Sequence, residues 1–190
     1  MARPSLKEKI IEASIETFHV QGFNASSVQN ITAAAGAPKG SLFNHFKNKE
    51  LLALEALSRY HESNRPEMLL DEASPPLKRL RRHFEFLANR YREWEYDRSC
   101  MIGSFGAEAP ISHIQIRGAV RDIYVVWSGL IATVLLEAQT EKEIDPQLDV
   151  QQLARFLLNA WEGTLIRMKT EKSDIPLDDF FSISFDFILS

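Results

Sequence analysis

Residues 27–52, which read SVQNITAAAGAPKGSLFNHFKNKELL, constrain the fold more than any other part of the chain. Two short helical patterns flank a turn that contains Gly36, and another helix is indicated just after the KNK cluster at 47–49. Two short helices joined by such a turn form a helix-turn-helix, whose second helix can enter the major groove of DNA. The turn alone leaves a second interpretation open, namely a small helical bundle with a solvated polar face.

Helical periodicity extends through the first third of the chain, and no alternating pattern typical of strands is present. It predicts a first helix over about 5–21 that ends at Gly22, and a second that Ser26 or Ser27 caps. A third short helix begins near Pro38, and a fourth begins near Asn48.

The stretch DEASPP at 71–76 is the best candidate for a boundary, because its two prolines disfavour helix on both sides. Beyond it the apolar periodicity predicts further helices at about 76–95, 101–108, 111–140, 148–171 and 176–189. We therefore expect an all-α protein, with a helix-turn-helix head at 1–50 and a larger helical bundle at 51–190.

The composition is that of a soluble globular protein, with 45% hydrophobic and 25% charged residues. The N-terminus has no apolar region typical of an export signal, and we expect no apolar run of the roughly 18 residues that span a bilayer. The single cysteine excludes an internal disulfide. These features predict a cytoplasmic protein without membrane contact.

Charge is unevenly distributed along the chain. The whole sequence has a net charge of −4, yet residues 1–50 hold six Lys and Arg against four Glu, and residues 51–190 carry a net charge of −6. A mildly basic head on an acidic body favours contact with double-stranded DNA at one end only.

The side chains expected to contact DNA lie mainly on the outward face of the third helix. These are Lys39, Ser41, Asn44 and His45. Residues of these types read base edges or bind phosphates. Gln29, near the start of the second helix, is placed to reach a base, and Lys49, at the N-terminus of the fourth, to bind a phosphate.

The string PKGSLFNHFKNKELL closely resembles the recognition-helix signature of the tetracycline-repressor (TetR) family of bacterial transcription regulators. The resemblance extends from KEKIIEASIETFHVQGFNASSVQNITAAAG through the fourth helix. It implies a three-helix DNA-binding head, a connecting helix, and a body that binds a small-molecule effector and forms a homodimer. Phe43 stands where the family often has a tyrosine that touches a phosphate, so the ring's packing role survives and that hydrogen bond is lost.

One segment of the body, SCMIGSFGAE at 99–108, is similar to a pattern found in a subgroup of the family. Cys100, Gly103 and Glu108 match it, whereas Ser99 and Ser104 replace the usual Gly and Asn. In some relatives this cysteine senses electrophiles or oxidants, which requires a lowered thiol pKa and access to the reagent. The alternative is that Cys100 is a buried, small apolar residue.

The resemblance also implies an effector pocket in the body. Aromatic residues with a polar tip suit a mostly apolar pocket with few polar anchors. Together with Cys100, the candidates are Tyr91, Tyr124, Trp127 and Trp161. Aromatic residues at helical spacing are also typical of an ordinary core.

The last two predicted helices form the dimer interface by the same resemblance. Phe156, Ala160 and Gly163 lie on one face, and the final helix is rich in Phe, including Phe181 and Phe185. Such a helix would expose an apolar patch in a monomer, and two-fold pairing covers it.

No sequence motif indicates a metal, a cofactor or an enzyme. The five histidines are scattered, and Walker, dinucleotide-binding and nucleophile-elbow patterns are missing. The sequence therefore predicts a ligand-responsive regulator, most consistent with a homodimeric repressor that an effector releases from a palindromic operator. The alternatives to a regulator are a helical adaptor that binds another protein and an enzyme that depends on Cys100.

Overall fold

The computed structural model describes residues 5–108 and 113–190, and the regular elements in these ranges are all helical, which confirms the all-α prediction. In chain order the helices are α1 (Leu6–Ala25), α2 (Val28–Ala34), a 3₁₀ segment (Lys39–Asn44), α3 (Lys49–Ser63), a 3₁₀ turn (Pro66–Leu70), α4 (Pro76–Glu93), α5 (Met101–Glu108), α6 (Ile114–Thr140), α7 (Val150–Glu171), α8 (Ile175–Phe181) and a π-helical segment (Ser182–Ile188). These bounds agree with the periodicity of the sequence. The predicted helix start near residue 111 lies outside the described residues.

The chain divides into two compact units. The first, the head unit, comprises the described parts of Met1–Ser63 and Cys100–Asp122, and the second, the body unit, comprises Asn64–Ser99 and Ile123–Ser190. This division differs from the boundary expected at residue 50. It places all of α3, α5 and the start of α6 with the helix-turn-helix.

Aromatic and aliphatic side chains of α1, α2, α3 and α5 form the core of the head unit. Phe18 of α1 and Phe105 of α5 are fully buried, and their ring centroids are 5.5 Å apart in an edge-to-face arrangement. Ile31 of α2, Leu42 of the 3₁₀ segment and Leu52 of α3 are also fully buried. Each helix therefore contributes an anchor that fixes its neighbours, and burial of each side chain is worth about 1.5–3 kcal/mol.

The body unit has an aromatic core between α4, α7 and α8. The ring of Phe84 lies 5.1 Å from that of Trp161 and 5.0 Å from that of Phe180, and the last two are 5.2 Å apart. This triangle joins three helices through tilted and edge-to-face contacts, which aromatic pairs prefer.

The helix α6 is more apolar than the sequence analysis anticipated. Within it an 18-residue window has a mean hydropathy of 1.6, so the helix is long and apolar enough to cross a membrane by length and composition alone. Core helices of soluble proteins pass the same test. Ile131, Val134 and Leu135 of this helix are fully buried.

Candidate DNA-binding interface

The 3₁₀ segment presents a polar and aromatic surface on one side and an apolar anchor on the other. Leu42 is fully buried, while the carbonyl of this residue accepts hydrogen bonds of 2.9 Å from the amides of His45 and Phe46. The side chains of Lys39, Asn44 and His45 are exposed. The buried leucine anchors the segment on one side, and these three side chains stay accessible on the other.

Phe43 stands out from the same face, with 55% of its surface exposed. The ring therefore does not have the packing role expected from the sequence, and the exposure of a single apolar side chain does not by itself indicate a partner. A thymine methyl is the apolar group that a major groove offers to such a ring.

Ser41 does not lie where the sequence analysis expected it. Only 8% of its surface is exposed, so its side chain does not share the outward face of Lys39, Asn44 and His45. A direct contact between its hydroxyl and DNA is therefore not supported by this structure.

The helix α2 that precedes the turn is capped at its N-terminus. The amide of Asn30 donates to Oγ of Ser27 at 3.0 Å, and the amide of Ser27 donates to Oδ1 of Asn30 at 3.2 Å. This reciprocal arrangement satisfies amides that a helix otherwise leaves unpaired. Gln29, in the first turn of α2, is exposed as the prediction requires.

The turn between α2 and the 3₁₀ segment depends on Gly36. Its φ of +62° lies in the left-handed region, and a Cβ added to this residue would meet no neighbouring atom within 4 Å. Backbone conformation, and not steric space, is thus the reason for a glycine here.

The ammonium group of Lys49 points inward, not toward a DNA surface. Its Nζ donates hydrogen bonds of 2.8 Å to the carbonyl oxygens of Phe23 and Ser26, and it lies 4.1 Å from the centroid of the Phe23 ring. Partial burial lowers the pKa of this amine, and the nearby charge of Glu108 opposes that shift. In this structure the group ties α3 to the end of α1, and the phosphate contact stays a prediction.

Two other lysines of the head unit are exposed beside the helix-turn-helix. Lys47 follows it in sequence, and Lys7 of α1 places its Nζ 5.7 Å from the ring centroid of Phe46. No local sequence pattern places Lys7 at the interface, because it lies some thirty residues before the 3₁₀ segment. Both are candidates for phosphate contacts of the kind expected from Lys49.

The predicted effector residues of the body unit are mostly buried in its aromatic core. The ring of Tyr91 lies 6.3 Å from that of Trp161, and the indole nitrogen of Trp127 donates to Nε2 of His83 at 3.1 Å. Tyr124 is half-buried. Within the described residues, Nε1 of Trp161 is buried and has no hydrogen-bond partner.

Cys100 belongs to the head unit, whereas the other effector candidates belong to the body unit. The residue is 2% exposed and forms no disulfide. Across residues 5–108 and 113–190, no group of three His, Cys, Asp or Glu side chains is placed to hold a metal ion.

A groove between α7 and α8 contains three of the predicted dimerisation residues. It has a volume of about 300 Å³ and is lined in part by Phe156, Ala160 and Gly163. Phe156 is 52% exposed, and Ile183, which also lines the groove, is 53% exposed. Small residues on the floor with apolar side chains at the sides suit the approach of a second helix.

The other two predicted dimerisation residues, Phe181 and Phe185, do not line this groove, and their place in an interface stays a prediction. Their rings stack on each other at 6.0 Å, and the guanidinium of Arg81 of α4 lies 5.7 and 5.5 Å from the two centroids. Phe181 is the last residue of α8, whereas Phe185 lies in the π-helical segment, where the chain turns more slowly than in an α-helix. Ile183 and Phe187 are the exposed apolar residues instead.

Comparison with known proteins agrees with this architecture. Residues 10–56 match the family described as bacterial regulatory proteins, tetR family, and residues 76–183 match the tetracyclin repressor-like C-terminal domain. The chain belongs to the TetR family. It is accordingly a ligand-responsive, DNA-binding transcriptional regulator, as the sequence predicted. The assignment to a Cys-x-x-Gly subgroup stays a prediction.

The TetR family relatives include full-length matches. The HTH-type transcriptional repressor DhaR of Mycobacterium sp. (strain GP1) is 32% identical, covering 100% of this chain and 95% of its own. The transcriptional regulator AcuR of Cereibacter sphaeroides is 29% identical over 91% of this chain and 80% of its own.

Solved structures of the TetR family have the same fold. The regulatory protein TetR from Rhodobacter sphaeroides superposes with a TM-score of 0.87 at 28% identity, covering 95% of this chain and 97% of that one. The reduced form of E. coli NemR gives a TM-score of 0.86 over 97% of each chain. At 19% identity the second likeness concerns the fold alone.

Proposed function

We propose that this protein is a cytoplasmic homodimeric repressor that binds a palindromic operator and leaves it when a small-molecule effector binds the body. The observation that carries the proposal is the outward face of the 3₁₀ segment, where Lys39, Asn44 and His45 are exposed around the buried Leu42. The name of the relative DhaR, a transcriptional repressor, supports repression over activation.

The residues of this face suit different parts of a DNA site. An asparagine side chain can bond the N6 and N7 edge of adenine in both directions, so Asn44 is assigned to base readout. Lys39, at the start of the segment, can bind either a guanine edge or a phosphate. Exposed Lys7 and Lys47 add charge for phosphates, which position the head without selecting a sequence.

The groove of Phe156, Gly163 and Ile183 supports a two-fold dimer. A second copy of the same groove would cover the exposed Phe156 and Ile183, and Gly163 would let the paired helices approach closely. Because a two-fold axis relates the two heads, each would meet an equivalent half-site, and the operator would be an inverted repeat.

The aromatic core of the body supports an effector that is largely apolar and carries a hydrogen-bond acceptor. Rings from Phe84, Tyr91 and Phe180 surround Trp161, whose Nε1 is an unsatisfied buried donor. Leaving such a donor unpaired costs about 1–3 kcal/mol, which an acceptor on a ligand would recover. Release from DNA then requires that the effector bind more tightly to the state with low operator affinity.

The proposal is tested by fluorescence anisotropy with DNA from upstream of the protein's own gene, against random DNA of equal length. We expect preferential binding to an inverted repeat, and we expect Asn44→Ala to lower discrimination at one base pair by about 1–3 kcal/mol. Lys47→Ala should instead weaken binding to both DNAs equally. Equal affinity of the wild-type protein for specific and random DNA would contradict the proposal.

A further inference from the structure

The last residue of α5, Glu108, extends into a break in α1. Its Oε2 accepts a hydrogen bond of 2.8 Å from the backbone amide of Asn24, and its carbonyl accepts a weaker one of 3.4 Å from Nδ2 of the same residue. The two residues are 84 positions apart in sequence. A charged acceptor on a backbone amide makes one of the stronger hydrogen bonds in proteins.

The break itself is shaped to admit this carboxylate. Gly22 has a φ of +78° and a ψ of 174°, so the chain leaves helical geometry at this residue. A Cβ placed on Gly22 would lie less than 2 Å from Oε1 of Glu108, closer than any real contact allows. The space that glycine leaves is therefore occupied by the carboxylate, and the close approach depends on both residues.

The same end of α1 holds the inward-pointing ammonium of Lys49. That group donates to the carbonyls of Phe23 and Ser26, while the carboxylate accepts from the amide of Asn24. The charge of Glu108 favours the charged form of the lysine, whose pKa burial otherwise lowers. One acidic and one basic side chain thus satisfy backbone groups of opposite polarity at a single helix end.

An apolar contact one turn earlier in α5 supports this arrangement. Phe105 is fully buried, and its ring centroid lies 5.6 Å from that of Phe23 and 5.5 Å from that of Phe18. The helix α5 is therefore joined to α1 at two points, by aromatic rings and by the carboxylate.

The segment held by Glu108 leads directly into the helix-turn-helix. Oγ of Ser26 donates to the carbonyl of Gly22 at 2.6 Å, and Ser27 is the residue that caps α2. Between the carboxylate contact at Asn24 and the first residue of α2 there are only three residues. Because this connection is short, we expect a displacement of Asn24 to move the start of α2 as well.

We propose that Glu108 is a positioning residue that couples α5 to the helix-turn-helix, so that a movement of α5 withdraws the carboxylate from the α1 break and lowers operator affinity. This inference rests on the proposed function, because it names the contact through which the head responds. The carboxylate does not touch DNA in this scheme. It fixes the connection between α1 and α2, and with it the direction of the 3₁₀ segment.

The test compares three variants of the whole protein. Glu108→Gln keeps the length but loses the charge, and Glu108→Asp keeps the charge but shortens the reach. Glu12→Gln, at an exposed site on α1, is the matched control for loss of one negative charge. The readout is the ratio of affinity for the operator to affinity for random DNA, measured by anisotropy at one salt concentration.

We expect Glu108→Gln and Glu108→Asp to lower this ratio about tenfold, since coupling between sites is typically 5–150-fold. The control should stay within about twofold of the wild-type ratio. Because both affinities come from one sample, partial unfolding lowers them together and leaves the ratio unchanged. Suppose that the wild-type protein prefers its operator and that both Glu108 variants keep the same ratio. That result would overturn the inference and leave the proposed function intact.

A second measurement does not depend on DNA. The backbone amide of Asn24 should exchange its hydrogen faster in both Glu108 variants than in the wild type, because its acceptor is lost or withdrawn. Unchanged exchange at Asn24 would show that the carboxylate does not hold this connection, and would overturn the inference without reference to an operator. If the wild-type protein shows no operator preference, the proposed function fails, and the coupling fails with it.

Discussion

Single side chains in the head unit face directions that depend on partners far away in sequence. Lys49 bonds carbonyls that lie 26 and 23 residues before it, and Glu108 bonds an amide that lies 84 residues before it. Local sequence indicated a lysine at a helix N-terminus, which is a typical phosphate ligand. The break at Gly22 exposes carbonyls that compete for this ammonium, and that competition is visible only in three dimensions.

The inward position of Lys49 predicts a loss of stability on its removal. Lys49→Ala deletes two hydrogen bonds to the end of α1 and a cation–π contact, so we expect the free energy of unfolding to fall by about 1–2 kcal/mol. Urea denaturation followed by circular dichroism measures the change. The exposed neighbour Lys47→Ala is the control, with an expected change within about 0.5 kcal/mol.

Equal stability of the two lysine variants would contradict the structural role of Lys49. The slope of the operator-binding constant against salt concentration, measured for the same variants, tests separately whether Lys49 contacts a phosphate. A slope about one unit flatter in Lys49→Ala than in the wild type would show that the ammonium turns to a phosphate in the complex.

His61 of α3 predicts a pH dependence of stability. Burial lowers its pKa from the usual 6.5, and the charge of Glu62 only partly opposes this. The unfolded chain therefore takes up the proton at a higher pH than the folded one. The unfolding free energy contributed by this group is fully present above about pH 6.5 and decreases as the pH falls through the unfolded pKa toward the folded one.

His61→Gln should remove this part of the acid destabilisation, so that its stability falls less than that of the wild type between about pH 7 and pH 5. Denaturation midpoints at several pH values provide the measurement. Parallel curves for wild type and His61→Gln would argue against a lowered pKa at this site.

At the scale of helices, the sequence predicted where elements begin and end, because caps, glycines and prolines act locally. Ser27 caps α2 and Gly36 takes positive φ, as expected. Which face a residue occupies was less predictable in two places. Ser41 was expected to face outward and is only 8% exposed, and the segment that contains Phe185 is π-helical, so the period of 3.6 residues per turn does not apply there.

The two glycines around the turn predict opposite effects of the same substitution. Gly36 has a positive φ, so Gly36→Ala should cost about 1 kcal/mol of stability although there is room for the methyl group. Gly40 lies within the 3₁₀ segment and also has open space around its Cβ position. Gly40→Ala should be neutral or stabilise by up to about 1 kcal/mol, through the entropy of the unfolded chain.

Thermal unfolding of both glycine variants measures the difference. A melting temperature of Gly36→Ala at or above that of Gly40→Ala would show that the turn does not require the left-handed conformation.

At the scale of the whole molecule, the groove between α7 and α8 predicts the effect of a charge on assembly. Ile183→Asp places a carboxylate on its wall, where a second copy would bury it without a partner, so we expect dissociation to monomers. Leu70→Asp is the control, since Leu70 is similarly exposed at 58% but lies outside the groove. Sedimentation velocity distinguishes the two. A dimeric Ile183→Asp protein would exclude this groove as the interface.

The composition of the head unit was the part least accessible from the sequence. The helix-turn-helix signature ends near residue 50, whereas the compact unit that contains it also includes α5 and the first residues of α6. Phe105 and Glu108 carry no local sign that they pack on α1, because helical periodicity specifies an apolar face but not the element that covers it.

Because α5 belongs to the head unit, the order of translation affects when this unit can fold. The segment 100–122 completes the head unit, yet it is translated only after 36 residues of the body unit have followed Ser63. A nascent chain that has emerged as far as Ser63 lacks Phe105 against its aromatic rings and Glu108 at Gly22. The head unit would therefore complete its folding only after part of the body unit has been synthesised, although the helix-turn-helix signature comes earlier in the chain.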